Sequence, residues 1–348
     1  MKQVFVFRLQ PDQNITSYFL VCEKEIRTTR EGKSYLRLEL GDSTGRVEAR
    51  MWEGFDQSAA TFGRDDFVKV QARVENYRNK IQLAIEKIRR AEETEVDVAD
   101  FFPHTPEDVE QLYTKLLEVV ASVGDPWLRK LLESVVQDPE IVPRLKRAPA
   151  AKLMHHAYFG GLLEHVISLC GLCRVVLTHY PEADADLLLT GAVLHDVGKL
   201  EELSYERSLG YTDAGQLLGH IMIEYEFVSR KIDAIEGFPE PLKVLVQHML
   251  ISHHGQYEFG SPKLPMFREA LMLHYLDDLD SKMAAARAAL DSPAGEGNWT
   301  AYNGALERRI LRVDQFRHAV DEASAKNAAA ASASGRSGVD AGKQDGKE

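Results

Sequence analysis

Histidine and aspartate side chains concentrate in one part of the sequence, between residues 155 and 280. The group consists of His155, His156, His165, His195, Asp196, His220, His253, His254, His274, Asp277, Asp278 and Asp280. Imidazole and carboxylate groups together suit divalent ions such as Mn, Fe, Co, Ni or Zn, and no thiolate competes at these positions. His195 and Asp196 lie in the apolar run GAVLHDVGKL, where burial of a carboxylate costs free energy unless a cation compensates it. The sequence therefore predicts a metal site around this pair.

Gly198 and Lys199 follow the pair directly. A glycine at this place is typical of a helix end, and the end of the helix would free Lys199 to point toward a bound ligand. There the ammonium group could neutralise charge that develops on a phosphate. The alternative interpretation is a surface lysine that simply follows a helix.

The chain after residue 104 has the periodicity of helices, because apolar residues recur at spacings of three and four. Thr105 is the predicted N-cap of the first helix, with Pro106 at the first helical position. Residues 324–348 contain too few large apolar groups to fold, which predicts a disordered tail. The predicted helical stretches are 109–123, 162–177, 187–197, 217–235, 242–251 and 270–290.

The N-terminal part alternates between apolar and polar residues in short runs, such as 35–40, 46–51 and 67–74. About five short strands separated by turns fit a small barrel, and the segment resembles an OB-fold nucleic-acid-binding domain. On the outer face of such a barrel, cations and aromatic rings would contact phosphates and bases, although each ring could equally pack across neighbouring strands. The candidate nucleic-acid-binding residues are Tyr35, Arg37, Arg50, Trp52, Tyr77 and Lys80.

Charge is distributed unevenly along the chain. Residues 1–90 hold 17 Lys+Arg against 13 Asp+Glu, a net charge of +4, whereas the remainder holds 25 against 41, a net charge of −16. Only the N-terminal part is therefore mildly basic. No apolar run approaches the roughly 20 residues that span a bilayer. Three cysteines give no disulfide framework. We therefore predict a cytoplasmic protein with no membrane partner.

Three motifs in the helical part resemble those of the HD superfamily of phosphohydrolases: GGLLEHV, LHDVGK and LHYLDDLDSK. In that superfamily a first histidine, an adjacent His-Asp pair and a distal aspartate hold the metal. The resemblance implies His165, His195 and Asp196 as ligands, with Asp277 as the distal ligand and Asp280 as a partner of the ligands. Asp277 and Asp280 lie on the same face of a helix, so the spacing alone leaves that choice open.

Several HD enzymes that bind two metals have an additional histidine followed by two adjacent histidines, which here match LLGHI and SHHG. Two ions would clamp a phosphoryl oxygen and stabilise the leaving oxygen, with Asp196 as the bridging ligand and Lys199 as a second catalytic residue. His156 and Ser261 are candidates for contacts with the substrate or with the ligands. The implied metal ligands are His165, His195, Asp196, His220, His253, His254 and Asp277.

Longer runs, HHAYFGGLLEHV, GYTDAGQLLGHI, ISHHGQYEFGSPKLP and EALMLHYLDDLDSK, follow the OB-like segment. In this order they resemble the YhaM family of bacterial 3'-to-5' exoribonucleases over about residues 15–290. The resemblance implies release of nucleoside 5'-monophosphates from single-stranded RNA, with single-stranded DNA as a second substrate. It also implies two ions per site, with Mn favoured and Co, Fe, Ni, Zn or Mg as alternatives. Whether the chain forms a homo-oligomer is left open.

The predicted fold is multidomain, an N-terminal all-β OB-fold barrel plus a C-terminal all-α HD-domain helical bundle. The predicted segments are the barrel in 1–90, a linker in 91–104, the HD domain in 105–323 and the tail in 324–348. Two other functions stay open. One is an HD-type phosphohydrolase of nucleotides or cyclic nucleotides with a regulatory OB domain, although no GYP-type motif favours cyclic dinucleotides. The other is a non-catalytic nucleic-acid-binding protein.

Overall fold

The computed structural model describes residues 2–29, 31–78, 80–102, 104–150, 158–204, 210–292 and 294–318. The chain divides into two compact units, residues 1–280 and residues 281–348. The first unit contains a barrel and the helices that carry the histidines. His155, His156 and the predicted tail lie outside the described residues.

The N-terminal part is a closed five-stranded barrel, which confirms the predicted OB-like arrangement. The strand order is β1-β2-β3-β5-β4, and all neighbours are antiparallel except β3 and β5. Alternate residues fill the interior, so Leu36, Leu38 and Leu40 of β2 are fully buried. The strands are β1 (Asn14–Thr28), β2 (Ser34–Asp42), β3 (Gly45–Met51), β4 (Phe67–Tyr77) and β5 (Lys80–Arg90).

The rest of the first unit is helical, as predicted, and has one large apolar core. Helix α6 lies inside this core, and every residue from Leu187 to Leu194 is buried. A short helix, α1 (Phe55–Ala59), precedes β4 in the barrel part. The other helices are α2 (Val109–Ser122), α3 (Pro126–Val136), α4 (Val142–Arg147), α5 (Gly161–His179), α6 (Ala185–Leu194), α7 (Lys199–Glu202), α8 (Asp213–Asp233), α9 (Glu240–Ser252) and α10 (Arg268–Asp291).

Some local details differ from the sequence-based predictions. Helix α2 begins at Val109, where the apolar periodicity begins, and not at Pro106, because the Asp108 carboxylate caps it by accepting from two main-chain N–H groups. Thr105 instead donates from Oγ1 to Glu164, so its prediction as N-cap is wrong. Helices α3 and α4 and two short hairpins were not predicted. The hairpins pair β6 (Leu203–Ser204) with β7 (Gly210–Tyr211) and β8 (Gly295–Glu296) with β9 (Trp299–Thr300).

Helix α5 is, among the described residues, the one helix long and apolar enough to cross a membrane by length and composition. Such a helix is also typical of a protein core. Leu162, Leu163 and Leu169 of α5 are fully buried against the other helices, and His165 on the same helix is buried as well. We therefore interpret α5 as a core helix.

The segment predicted as a linker, residues 91–104, packs against both parts of the first unit. After two 3-10 turns it buries Phe101 and Phe102. The Phe101 ring lies 4.6 Å from that of Phe67 on β4, and the Phe102 ring lies 5.2 Å from that of Phe159, just before α5. These rings form an apolar layer shared by the barrel and the helical part. We keep the predicted domain boundaries as a proposal.

Candidate metal centre

Six of the predicted ligands form two clusters. The first cluster is His165, His195 and Asp277, and the second cluster is His220, His253 and His254. Within each cluster, one ligand atom from every member lies within 4.8 Å of the others. Five elements bring them together. His165 lies on α5, Asp277 on α10 and His220 on α8, His195 follows α6, and the His253–His254 pair follows α9.

Asp196 lies between the two clusters and turns one carboxylate oxygen toward each. Its Oδ2 is 3.4 Å from His195 Nε2 and 3.7 Å from His165 Nε2. Its Oδ1 is 3.7 Å from His220 Nε2. This placement suits a ligand that bridges two ions.

Each histidine of the two clusters uses Nδ1 for a hydrogen bond. The pairs are His165 Nδ1 with Asp280 Oδ2 (2.8 Å), His195 Nδ1 with the Ala192 carbonyl (3.0 Å), His220 Nδ1 with Glu202 Oε1 (3.2 Å), His253 Nδ1 with the Leu250 carbonyl (2.7 Å) and His254 Nδ1 with the Phe259 carbonyl (2.7 Å). Because every partner is an acceptor, Nδ1 keeps its proton in each ring, and Nε2 is the nitrogen that is left to bind a metal.

The chemistry of this donor set fits divalent ions. Within the described residues, Nε2 of His220 and Nε2 of His253 are buried and have no hydrogen-bond partner. A buried acceptor without a partner costs free energy. The Nε2 atoms of His165 and His195 lie only 3.2 Å apart. A cation coordinated by these nitrogens would satisfy them all.

The two candidate distal aspartates have different places. Asp277 Oδ1 is 3.2 Å from His165 Nε2 and 3.6 Å from His195 Nε2, on the side where the ligand atoms converge. Asp280 contacts the opposite side of the His165 ring and accepts a 2.5 Å hydrogen bond from Ser168 Oγ. The geometry favours Asp277 as the ligand and Asp280 as the residue that orients His165.

Lys199 points into the site. Its side chain is only 14% exposed and its Nζ lies 2.6 Å from Asp196 Oδ2, which contradicts the alternative of a surface lysine. The prediction that Gly198 ends the helix is wrong, because α6 already ends at Leu194. A Cβ at Gly198 would lie 2.2 Å from the His220 carbonyl oxygen, so the glycine allows α8 to approach the His-Asp pair.

The electrostatics of the two clusters differ. Burial alone would lower the pKa of His195, but Asp196 and Asp277 outweigh burial and raise the pKa to about 10. Burial opposes ionisation of Asp196, yet Lys199 and His195 hold its pKa well below the usual value. In the second cluster, burial lowers the pKa of His253 well below its usual value and also lowers that of His254.

Two buried glutamates beside the second cluster were missed by the sequence analysis. Glu202 accepts hydrogen bonds from His220, and although burial opposes its ionisation, these bonds lower its pKa. Glu224 lies with Oε1 3.5 Å from His253 Nδ1, and neither of its oxygens has a hydrogen-bond partner in the described part of the chain. Burial raises the pKa of Glu224 well above its usual value. Glu224 follows His220 by one helical turn, and this spacing could have indicated from the sequence that the two side chains lie on the same face of the helix.

Further polar groups lie in the loop after α9 and on the part of α10 that packs against it. His274 on α10 donates from Nδ1 to the His253 carbonyl at 2.9 Å. A Cβ at Gly255 would lie 2.2 Å from the His274 ring, so this glycine, with φ +74°, permits the close approach. Ser261 is buried, and no described residue hydrogen-bonds its Oγ. His156, another predicted contact, lies outside the described residues.

The predicted nucleic-acid-binding residues include an aromatic group on the barrel. The rings of Tyr35 and Trp52 stack with their centroids 4.7 Å apart. The Arg50 guanidinium lies 6.0 Å from the Tyr35 ring and 5.6 Å from the Tyr77 ring. Trp52 is 40% and Tyr77 47% exposed, and Lys80 is also exposed. We call Tyr35, Arg50, Trp52 and Tyr77 the aromatic patch.

The two arginines of this face already have acidic partners. Arg37 lies 3.3 Å from Glu25, 3.6 Å from Glu23 and 3.7 Å from Glu48. Arg50 also pairs with Glu48, at 2.6 Å. The face therefore combines exposed rings with two arginines whose charge is balanced by glutamates, and binding of nucleic acid by the six predicted residues stays a prediction.

A closed OB barrel followed by helices that converge on a His-Asp centre defines a nucleic-acid-binding phosphohydrolase of the divalent-metal-dependent HD class. Comparison with known families agrees. The OB-fold nucleic acid binding domain matches residues 21–91, and the HD domain matches residues 162–282.

Comparison with individual proteins narrows the class. The chain is 36% identical over 298 residues to the 3'-5' exoribonuclease YhaM of Geobacillus sp. (strain WCH70), covering 85% of this chain and 91% of that protein. It is 34% identical over 305 residues to the 3'-5' exoribonuclease YhaM of Bacillus subtilis (strain 168), covering 87% and 96% respectively. The chain therefore belongs to the YhaM family of 3'-5' exoribonucleases.

Proposed function

We propose that this chain is a metal-dependent 3'-5' exoribonuclease that hydrolyses single-stranded RNA to nucleoside 5'-monophosphates, with single-stranded DNA as a second substrate. The observation that carries the proposal is Asp196, which turns one oxygen toward each of two histidine clusters. A site for two ions suits in-line displacement at phosphorus. The direction of cleavage is taken from the relatives, which are named 3'-5' exoribonucleases.

The candidate ligands would hold two ions, with the Asp196 carboxylate placed between the two clusters. His165, His195 and Asp277 would hold one ion, and His220, His253 and His254 would hold the other. Bound there, divalent ions supply Lewis-acid polarisation and charge stabilisation at the phosphodiester. Mn is the ion we favour, and Co, Fe, Ni, Zn and Mg are the alternatives to test.

The protein groups around the ions have separate tasks. Asp280 and Glu202 orient His165 and His220 through Nδ1. Lys199, at 2.6 Å from Asp196, supplies a buried positive charge where the phosphate would lie.

The barrel would capture the substrate by stacking. Trp52 and Tyr77 present exposed rings, and every nucleobase has a face that can stack on them. Stacking requires unpaired bases, so the aromatic patch favours single strands over duplexes. We further propose that the enzyme acts in the cytoplasm, because α5, which among the described residues alone has the length and composition of a membrane span, carries the buried candidate ligand His165.

The activity can be tested with single-stranded RNA and DNA labelled at the 5' end and incubated with the protein and Mn, Mg, Co or Zn. We expect a ladder of products that shortens from the 3' end. Internal cuts would contradict the exonuclease proposal. Hydrolysis of nucleotides or cyclic nucleotides, with oligonucleotides left intact, would favour a nucleotide phosphohydrolase. Binding of oligonucleotides without turnover in any metal would favour a non-catalytic binding protein.

The role of Asp196 can be tested with Asp196→Asn. We expect mononucleotide release to fall by more than about 100-fold, because even a residue that only supports a metal ligand is commonly worth 10- to 100-fold. Asp233→Asn, at an exposed aspartate paired with Lys243, makes the same chemical change away from the site and serves as the control. Full activity of Asp196→Asn would contradict the assignment of the bridging ligand.

A further inference from the structure

Helix α8 is broken immediately before the ligand His220. Gly219 has φ 70° and ψ 159°, which is not a helical conformation. The second half of α8 therefore begins at His220, whose main-chain N–H is one of the groups that a helix N-terminus leaves without an intrahelical partner. His220 is thus both a candidate metal ligand and the first residue of a helix.

One carboxylate oxygen of Glu202 accepts hydrogen bonds from both the main chain and the side chain of His220. Its Oε1 accepts from the His220 main-chain N–H at 3.1 Å and from His220 Nδ1 at 3.2 Å. A negative charge is favourable at a helix N-terminus. An acceptor on Nδ1 directs the Nε2 lone pair toward the metal. Glu202 is 9% exposed, so these bonds are largely shielded from water.

The main chain of Glu202 is itself fixed to the start of α8. Its carbonyl accepts from the Thr212 main-chain N–H at 2.9 Å, and Thr212 is the N-cap of α8. A Cβ at Gly215 would lie 2.2 Å from the Glu202 carbonyl oxygen, so the helix packs directly against this residue. Glu202 therefore connects both halves of the broken helix, through its main chain at Thr212 and its side chain at His220.

His220 differs in this respect from the other members of the second cluster. His253 and His254 donate to the main-chain carbonyls of Leu250 and Phe259, whereas His220 donates to a side chain. A single substitution at position 202 can therefore remove the orientation of one ligand and leave the other two in place.

We propose that Glu202 is the positioning residue of the second metal cluster, and that it acts through His220 by capping the second half of α8 and fixing the ring. The inference rests on the proposed two-ion function. It predicts that loss of the Glu202 carboxylate weakens the second ion selectively, without touching the ligands of the first cluster.

Metal titrations by calorimetry of the full chain test this inference, with Mn and with Co, whose absorption spectrum reports its ligands. For the wild type we expect two ions per chain. For Glu202→Ala we expect the affinity for one of the two ions to fall by about 10- to 100-fold while the other is retained. Glu202→Gln keeps an acceptor oxygen, so it should lose less. Glu201→Gln, at the neighbouring glutamate whose side chain pairs with Arg144, is the matched control.

The route through His220 is tested by a double-mutant cycle. If Glu202 acts through His220, then His220→Ala together with Glu202→Ala should weaken metal binding no more than His220→Ala alone. Equal weakening of both ions together with a lower unfolding temperature would overturn the inference in favour of a purely structural role. If Glu202→Ala does not fold, the same comparison is made with Glu202→Gln: selective weakening of one ion supports the inference, and equal weakening of both overturns it. Unchanged binding of both ions by the Glu202 variants would also overturn it. A wild type that binds only one ion would instead refute the two-ion function on which it rests.

Discussion

Single residues make the two metal clusters chemically unlike. The first cluster contains the carboxylate of Asp277 beside two imidazoles, whereas the second consists of three imidazoles. Nearby carboxylates raise the pKa of His195 to about 10 against the opposing effect of burial. Burial lowers the pKa of His253 and of His254. His253 and His254 are therefore neutral near pH 7, whereas His195 is protonated there before a metal binds.

This difference predicts proton release when the first cluster binds its ion. At pH 7, below a pKa of about 10, His195 holds a proton that must leave before Nε2 can coordinate a metal. The affinity should therefore rise with pH, by about tenfold per pH unit while the pH stays below that pKa. Calorimetric titrations with Mn in buffers of different ionisation enthalpy would count the protons.

Two variants serve as references for that measurement. His254→Ala removes a member of the second cluster and should leave the proton release nearly unchanged. Asp277→Asn removes a carboxylate that raises the pKa of His195. This variant should therefore release fewer protons when the metal binds. Metal binding without any proton release would contradict the prediction.

At this scale the sequence predicted the candidate ligands and one residue beside them, Asp280, but not the other residues that support the ligands. The ligands stand in short motifs, and all seven lie in the two clusters or between them. Their roles stay a prediction. Glu202 and His274 could not be found in this way, because their partners His220 and His253 lie far away in the sequence and come close only through the packing of α7, α8 and α10.

At the scale of elements, the outer face of the barrel is the surface that we propose for binding a strand of RNA. Its arginines are partnered by glutamates, so the contribution of phosphate contacts should be small and that of the rings large. The alternating pattern of β2 and β3 predicted which residues face outward. It could not show that Arg37 lies within reach of Glu23 and Glu25, because that depends on the register between β1 and β2.

We therefore expect Trp52→Ala to weaken binding of single-stranded RNA by about 1–3 kcal/mol, the usual value of one stacked base. Arg37→Ala should change neither the affinity nor its salt dependence appreciably. Fluorescence anisotropy of a labelled oligonucleotide over a series of salt concentrations measures both. Tyr180→Ala, at a similarly exposed ring on the helical part, is the control. A salt dependence that drops clearly in Arg37→Ala would show that phosphate contacts dominate after all.

Element boundaries were predicted less well than element types. The apolar periodicity identified α5, α6, α8, α9 and α10, but it carried α6 past its end at Leu194. The glycine that suggested the later end, Gly198, is needed for the approach of His220, a contact that only the folded chain reveals.

At the scale of the whole molecule, the first unit depends on the apolar layer that joins the barrel to the helices. Phe101 and Phe102 come from the segment that sequence composition marked as a linker. The acidic residues that precede the two rings dominate the composition of this segment, so composition alone did not indicate that the rings are buried. A cut after residue 90 would expose this layer, so the barrel should contribute to function as an attached part of the unit rather than as a separable module.

Phe101→Ala should lower the free energy of unfolding by about 3–5 kcal/mol, the usual cost of truncating a buried phenylalanine. It should also impair hydrolysis of long RNA more than hydrolysis of a dinucleotide, because in the proposed function a long substrate binds the barrel as well as the metal centre. Chemical denaturation and kcat/KM for the two substrates measure these effects. Phe7→Ala, at a ring that is 64% exposed, is the control. An equal loss on both substrates would contradict the proposed role of the barrel.

Three of the five histidines in the metal clusters are oriented by main-chain carbonyls, those of Ala192, Leu250 and Phe259. A carbonyl keeps its place whatever side chain the residue carries, provided that the backbone is held. Ala192 and Leu250 are fully buried, so packing restricts their side chains, whereas the exposed side chain of Phe259 can change without moving the carbonyl that orients His254. His165 and His220, in contrast, are oriented by side chains, so mutation of Asp280 or Glu202 would directly disturb a candidate ligand.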